Sequence, residues 1–274
     1  MIKHVSVYTY GDKSHANTIN IAANFAKKYG AKLNGVFVKP SYGSYANYYG
    51  EYPLNLATNF HNDQKEFADA IEENFNDIAE KFGVQHEWHI VDEYENHLRP
   101  PFYSDYIFVS KPVDDDLIFS ETDFVDNLIL QTGLPTVVVP TDWQGDVLAT
   151  KPVLGWKETK EAINAVRHTL ELMRDADDVH ILTVTKKTDL DQDLVESIQI
   201  GEYLSAHGIK CLSHHESKLA GENSTQTLIR HVKYHHRDAV IIGGYGRSRF
   251  RELILGGMTR RLIADSHVPV VLAH

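Results

Sequence analysis

A chain of 274 residues, 42% apolar and 24% charged, has the length of one large domain or two ordinary ones and the composition of a soluble globular fold. A formal net charge of −11 without a basic stripe excludes a nucleic-acid binder, and no apolar run approaches the ~20 residues of a membrane span. The single cysteine, Cys211, excludes an internal disulfide, so a cytoplasmic protein is expected.

The chain opens on an apolar strand over residues 2–9. A helical stretch follows over 14–29, with Ile19, Ala22, Ala23 and Ala26 at helical spacing and Gly30 as its stop, then a second strand over 32–38. A tyrosine-rich stretch over 40–50 comes next, with Tyr42, Tyr45, Tyr48 and Tyr49, the side chains favoured in interfaces or in a flap. Arg99-Pro100-Pro101 breaks any helix begun at Asp92. A short strand over 105–109 leads into Ser110-Lys111-Pro112-Val113-Asp114-Asp115-Asp116, a glycine-free loop whose three carboxylates repel phosphate. Leu134-Pro135-Thr136-Val137-Val138-Val139-Pro140 closes the half, and a polar link over 141–146 follows.

The second half repeats this order. A strand over 152–156, a helix carrying Ala162, Ala165, Val166, Leu170 and Met173, and a strand over 179–184 stand where their counterparts stood. Asp238-Ala239-Val240-Ile241-Ile242 matches Asp105-Tyr106-Ile107-Phe108-Val109, and Val268-Pro269-Val270-Val271-Leu272 matches the strand after Leu134, so the register is kept across the repeat. Of the 27 basic and 38 acidic residues, 10 and 21 fall in residues 1–145, against 17 and 17 in 146–274. The acid excess lies wholly in the first half, a poor host for an anion.

After the strand ending at Ile242 come Gly243-Gly244-Tyr245-Gly246-Arg247, then Gly256-Gly257-Met258-Thr259 at the start of a helix. Glycine after a parallel strand lets a ligand approach the backbone, and a helix start presents unpaired N–H groups at the positive end of its dipole. Together they form a phosphate site at the carboxyl edge of a sheet. The alternative is that the glycines only shape a tight strand-to-helix turn. The spacing is neither the dinucleotide fingerprint nor the P-loop.

Gly243-x-x-Gly246, nine residues and Gly256, with the proline-led final strand, resembles the universal stress protein family, and the order of elements extends the resemblance to both halves. The resemblance implies an α/β fold of two tandem doubly wound domains, 1–145 and 146–274, of the adenine nucleotide alpha hydrolase-like kind. Each would be a five-stranded parallel sheet flanked by helices. The two would pack as an intramolecular pseudo-dimer through strands 135–139 and 269–272, with a further homodimer left open. It also implies an adenine nucleotide, ATP first, with or without Mg, in the second domain only. Gly243, Gly246, Arg247, Gly256, Gly257 and Thr259 would hold its phosphates and ribose, with Val184 lining the base and Trp156 beside it. Gly257 stands where the family carries a hydroxyl, and Lys157 stands where ATP-binding members carry an aspartate. The role implied is a stress-response sensor or adaptor. A nucleotide-independent scaffold and a binder of another phosphorylated molecule are the rival readings.

Arg247, Arg249, Arg251, Arg260 and Arg261 form either a clamp over phosphates or a solvated surface. Among sixteen histidines, His231 and His235 sit four apart on a helix, His214-His215 end a strand and His86-x-x-His89 lies on another. No cysteine or carboxylate completes a set beside them, so surface histidines and no metal are expected. Cys211 reads as a small buried apolar residue. No triad, carboxylate pair or nucleophile elbow is present, so any hydrolysis would be slow and incidental.

Overall fold

The structure, a computed structural model, describes residues 1–11, 15–39, 54–92, 103–113, 121–185, 190–244 and 257–273. The chain divides into two compact units, Met1–Thr132 with Gln144–Asp146, and Gly133–Trp143 with Val147–His274. The tyrosine-rich stretch 40–50, the break at 99–101, the carboxylates 114–116 and the loop 245–256 with Gly246, Arg247 and Gly256 lie outside the described residues.

The first unit contains β1 (His4–Tyr10), α1 (Ala16–Tyr29), β2 (Lys32–Lys39), α2 (Leu54–Phe82), β3 (His86–Asp92), β4 (Tyr106–Ser110) and α3 (Glu121–Thr132). Its strands run in the order β3-β2-β1-β4, all parallel. The near-continuous apolar runs of β1, β2 and β4 are buried almost throughout, as strands covered on both faces must be. In α1 the predicted positions Ile19, Ala22, Ala23 and Ala26 are all buried, and the helix ends at Gly30. There φ is +59°, and the Gly30 amide turns back onto the Lys27 carbonyl at 3.2 Å, a left-handed cap that favours glycine.

The second unit contains β5 (Thr136–Val139), β6 (Pro152–Gly155), α4 (Lys160–Arg174), β7 (Val179–Thr185), α5 (Leu190–Ala206), β8 (Cys211–Ser217), α6 (Ser224–Tyr234), β9 (Ala239–Gly243), α7 (Gly257–Asp265) and β10 (Val270–Ala273). Strands β10-β9-β6-β7-β8 form the expected five-stranded parallel set. The fifth strand of the first repeat, β5, counts with the second unit and pairs antiparallel with β10 (Val138 with Val270, Thr136 with Leu272). Both strands are buried along their whole length, and the pairing covers what would otherwise be an open apolar edge on β10. Strands 135–139 and 269–272 thus meet as expected, while the compact units and the sequence repeat divide differently over Gly133–Trp143.

The aspartate leading each fourth strand has one job in both repeats. Asp105 Oδ2 accepts from the amides of Lys3 (2.6 Å) and His4 (2.9 Å), where β1 begins. Asp238 accepts from Thr150 and Lys151, both at 2.8 Å, where β6 begins. A carboxylate holding two amides fixes the start of the neighbouring strand, which explains why an acidic residue recurs at that register.

Candidate functional site

In the second unit the chain runs outward through β6, β7 and β8, then returns to place β9 on the other side of β6. Strand order therefore reverses between β6 and β9, and in open α/β sheets ligands bind at that reversal, beyond the carboxyl ends of the strands. A cavity of about 220 Å³ lies there. Its walls include Gly155, Trp156 and Lys157 after β6, Leu182 and Val184 of β7, and Ile242 and Gly243 of β9. Four of the residues read from the sequence, Trp156, Val184, Gly243 and Thr259, are brought together on this one surface. Gly257, which opens α7 immediately before two of the lining residues, is exposed and adjoins it.

Three helices also begin at this cavity, as its lining includes Thr159 and Ala162 from the start of α4, Ser224 from α6, and Met258 and Thr259 from α7. Each start carries amides without intrahelical partners and the positive end of a dipole worth about half an elementary charge. Thr159 caps α4, its hydroxyl accepting from the Ala162 amide at 3.2 Å. Asn223 and Gln226 close a capping box on α6 at 3.0 and 2.9 Å. Thr159 and Ser224 were missed in the sequence reading, although Asn223-x-x-Gln226 was a visible signal for the second. Lys157 is the one ionisable side chain on the wall among the described residues, so where an aspartate was expected to be lost a cation is gained. Trp156 is buried, its backbone amide donates to the Leu182 carbonyl at 2.8 Å, and its indole Nε1 has no hydrogen-bond partner among the described residues.

The glycines have different reasons. A Cβ on Gly243 would overlap the backbone of Glu161 and Ala162, so this residue lets the first turn of α4 close onto the end of β9. Gly244 donates its amide to the Ala273 carbonyl at 2.8 Å, extending the ladder to β10. A Cβ on Gly257 would meet nothing within 4 Å among the described residues. Neither packing against those residues nor a left-handed backbone requires glycine at 257.

The same position in the first unit is filled. Tyr106 pairs with Val5 as Ala239 pairs with Pro152, so Ser110 takes the register of Gly243 and Tyr10 that of Lys157. Tyr10 is 1% exposed, and its hydroxyl donates to the Ser110 carbonyl at 3.0 Å. His15 donates through Nε2 to the Tyr10 carbonyl at 2.7 Å and accepts at Nδ1 from the Ser110 hydroxyl at 2.7 Å, while Thr18 reaches the same hydroxyl at 2.8 Å. The Phe124 ring stands edge-on to Tyr10, with centroids 5.4 Å apart. These side chains occupy the space at the strand reversal of the first unit.

The expectation of surface histidines is corrected for three of them among the described residues: His231 is 0% exposed, His180 3% and His15 4%. The carboxylate that the sequence reading found missing is Glu216, two positions beyond His214 on β8. Burial lowers the pKa of His180 to about 3 and lowers those of His214 and His231 as well, with neighbouring histidines and Arg237 adding to the effect. Cys211 is only half-buried, its thiol 3.6 Å from the Gly201 carbonyl. Arg261 is exposed and Arg260 partly so, and the other arginines of that cluster lie outside the described residues. No helix among the described residues is long and apolar enough to cross a membrane.

Comparison with known proteins places this geometry. No curated protein matches the chain. A universal stress protein from Archaeoglobus fulgidus is similar over 98% of this chain and 95% of its own, at 16% identity and a TM-score of 0.72. A functionally unknown protein from Pseudomonas aeruginosa PAO1 covers 99% and 92% (13% identity, TM-score 0.60). A putative universal stress protein from another strain, UCBPP-PA14, covers 99% and 93% (13%, 0.59). At such identities the likeness is one of fold. The family model of the universal stress protein family matches residues 151–274, the stretch that holds β6 to β10, the strand reversal and both ends of the glycine loop. Residues 151–274 therefore belong to the universal stress protein family.

Proposed function

We propose that the second unit binds an adenine nucleotide, ATP first, and that the protein serves as a stress-response sensor or adaptor whose surface answers to occupancy. The observation that carries this reading is the convergence of three helix starts and one lysine on a cavity at the strand reversal. That arrangement favours an anion and offers it amides rather than a catalytic base. The base would lie toward Val184 and Leu182, the ribose beside Trp156, Lys157 and Gly243, and the phosphates toward Gly257, Thr259 and the glycines 246 and 256. With one site per chain, occupancy can shift the protein only as far as its affinities for the two conformations differ. Residues 1–145 and 146–274 then act as a silent and a nucleotide-binding repeat.

Titration of the full chain with Mg-ATP tests the proposal. Trp156 is the one of the three tryptophans on the cavity wall, so its fluorescence should change on binding with a stoichiometry of one. Gly246→Val and Gly256→Val should abolish that binding while leaving the circular dichroism spectrum intact; unchanged affinity in both would remove the loop from the site. Gly257→Ser, whose Cβ meets nothing within 4 Å among the described residues, should tighten binding about 5-fold, the size of one added hydrogen bond. Mass spectrometry of ligand released from the purified protein separates the rivals. ATP or AMP supports the proposal, and another phosphorylated compound replaces it. An empty protein with no thermal shift in millimolar Mg-ATP leaves a scaffold.

A further inference from the structure

A second constellation occupies the part of the second unit where β7, β8 and α6 meet. The parallel register sets His180 opposite Leu212 and Leu182 opposite His214, so His180, His214 and Glu216 share one face of the sheet. Helix α6 supplies His231, one turn before its C-cap residue His235. The four imidazole rings lie with centroids 4.0 to 5.2 Å apart. One ligand nitrogen each from His180, His214 and His231 falls within 4.8 Å of the other two, and Glu216, His231 and His235 form an overlapping set of the same kind.

Hydrogen bonding satisfies only part of this cluster. His180 Nδ1 lies 3.0 Å from His231 Nε2, and His231 Nδ1 lies 2.5 Å from Glu216 Oε1. Arg237 donates to His180 Nε2 and to the Asp178 carboxylate. His180 therefore carries its proton on Nδ1 and donates that N–H to His231 Nε2, while His231 Nδ1–H donates to Glu216. That chain leaves His214 Nε2 buried without a hydrogen-bond partner among the described residues. A buried nitrogen left unmatched is costly, and His214 offers one ligand nitrogen within 4.8 Å of one each from His180 and His231.

We infer that His180, His214 and His231 form a binding site for a divalent transition-metal ion of the zinc class, with Glu216 orienting His231. Imidazole nitrogens at 2.0–2.1 Å around tetrahedral zinc stand about 3.4 Å apart, so the 3.0 Å between His180 Nδ1 and His231 Nε2 needs only a small opening. A carboxylate on the far nitrogen of a ligating histidine is the usual device for fixing its tautomer, and Glu216 already occupies that place on His231. On metal binding, the His180 proton moves from Nδ1 to Nε2. Arg237 then turns wholly to Asp178, and His180 Nε2–H faces the same carboxylate, 3.7 Å away. The proton stays on His180 throughout, so this shift of tautomer itself releases none. His235, its ring 4.3 Å from that of His231, is the nearest candidate for the fourth position. This site is separate from the nucleotide cleft and stands whether or not that reading holds.

Chelator-treated full-length protein should bind one equivalent of Zn²⁺ in competition with a chromophoric chelator, and Co²⁺ in its place should give the strong visible absorption of a four-coordinate site. His214→Leu lies on the half-exposed edge strand and should keep the fold by circular dichroism while weakening Zn²⁺ at least 100-fold. Glu216→Gln should weaken it about 10- to 100-fold, as loss of an orienting carboxylate does. His267→Ala, which is 79% exposed, should change nothing. No stoichiometric Zn²⁺ binding by the folded wild-type protein overturns the inference. So does an affinity and Co²⁺ spectrum that His214→Leu leaves intact.

Discussion

Gly243→Ala should destabilise the second unit by about 3 kcal/mol, whatever it does to a ligand. The added Cβ meets not a flexible side chain but the backbone of Glu161 and Ala162, which cannot yield without moving the start of α4. Overpacking a fixed contact costs about 1–3 kcal/mol, and here the displaced turn also holds the Thr159 cap, so the upper end applies. Denaturant unfolding should show the second unit's midpoint falling, with a loss of about 10 °C in its thermal midpoint. Gly257→Ser, at the start of α7, should leave the midpoint unchanged, because its Cβ meets nothing within 4 Å among the described residues. The contrast separates two reasons for glycine that the sequence shows as one motif. If Gly243→Ala keeps wild-type stability and loses only the nucleotide, the packing account of that residue is wrong.

The sequence carried much of the fold because its signals there are local. The predicted stop at Gly30, the apolar runs of β4 and β9 and the buried stripe of α4 each depend on neighbours within one turn or one strand. Strand β8 was poorly marked, since an edge strand with Leu212 57% exposed lacks the apolar pattern of its neighbours. The site divided along the same line. Gly243, Thr259, Val184 and Trp156 could be placed on one edge because each closes a strand or opens a helix. Thr159 and Ser224 join them only once the strand order is known. The histidine cluster was out of reach for that reason. His180, His214 and His231 belong to three elements, and only parallel register and the seating of α6 bring them together. The i, i+4 pair His231 and His235 was the sole local hint, and its missing carboxylate, Glu216, lay on another element.

In the first unit, Tyr10→Ala should cost about 3–5 kcal/mol and still give the chain no second nucleotide site. Tyr10 is 1% exposed, so truncation leaves a cavity whose walls, Phe124 and His15, are held by their own contacts and collapse only partly. The Ser110 carbonyl also loses its phenolic donor at 3.0 Å. The space vacated lies at the strand reversal, where the second unit has its cavity, yet Ser110 remains on the wall in place of Gly243. The sequence beyond Ser110 also carries three consecutive aspartates, 114–116, a charge that opposes phosphate. Urea unfolding should place the loss in the first unit, and the Mg-ATP stoichiometry should stay at one per chain. A neutral substitution, or the appearance of a second equivalent of bound nucleotide, would mean that Tyr10 blocks a competent site. The asymmetry of the two repeats would then rest on one side chain, and not on the combined effect of a filled reversal, a lost glycine and an acidic loop.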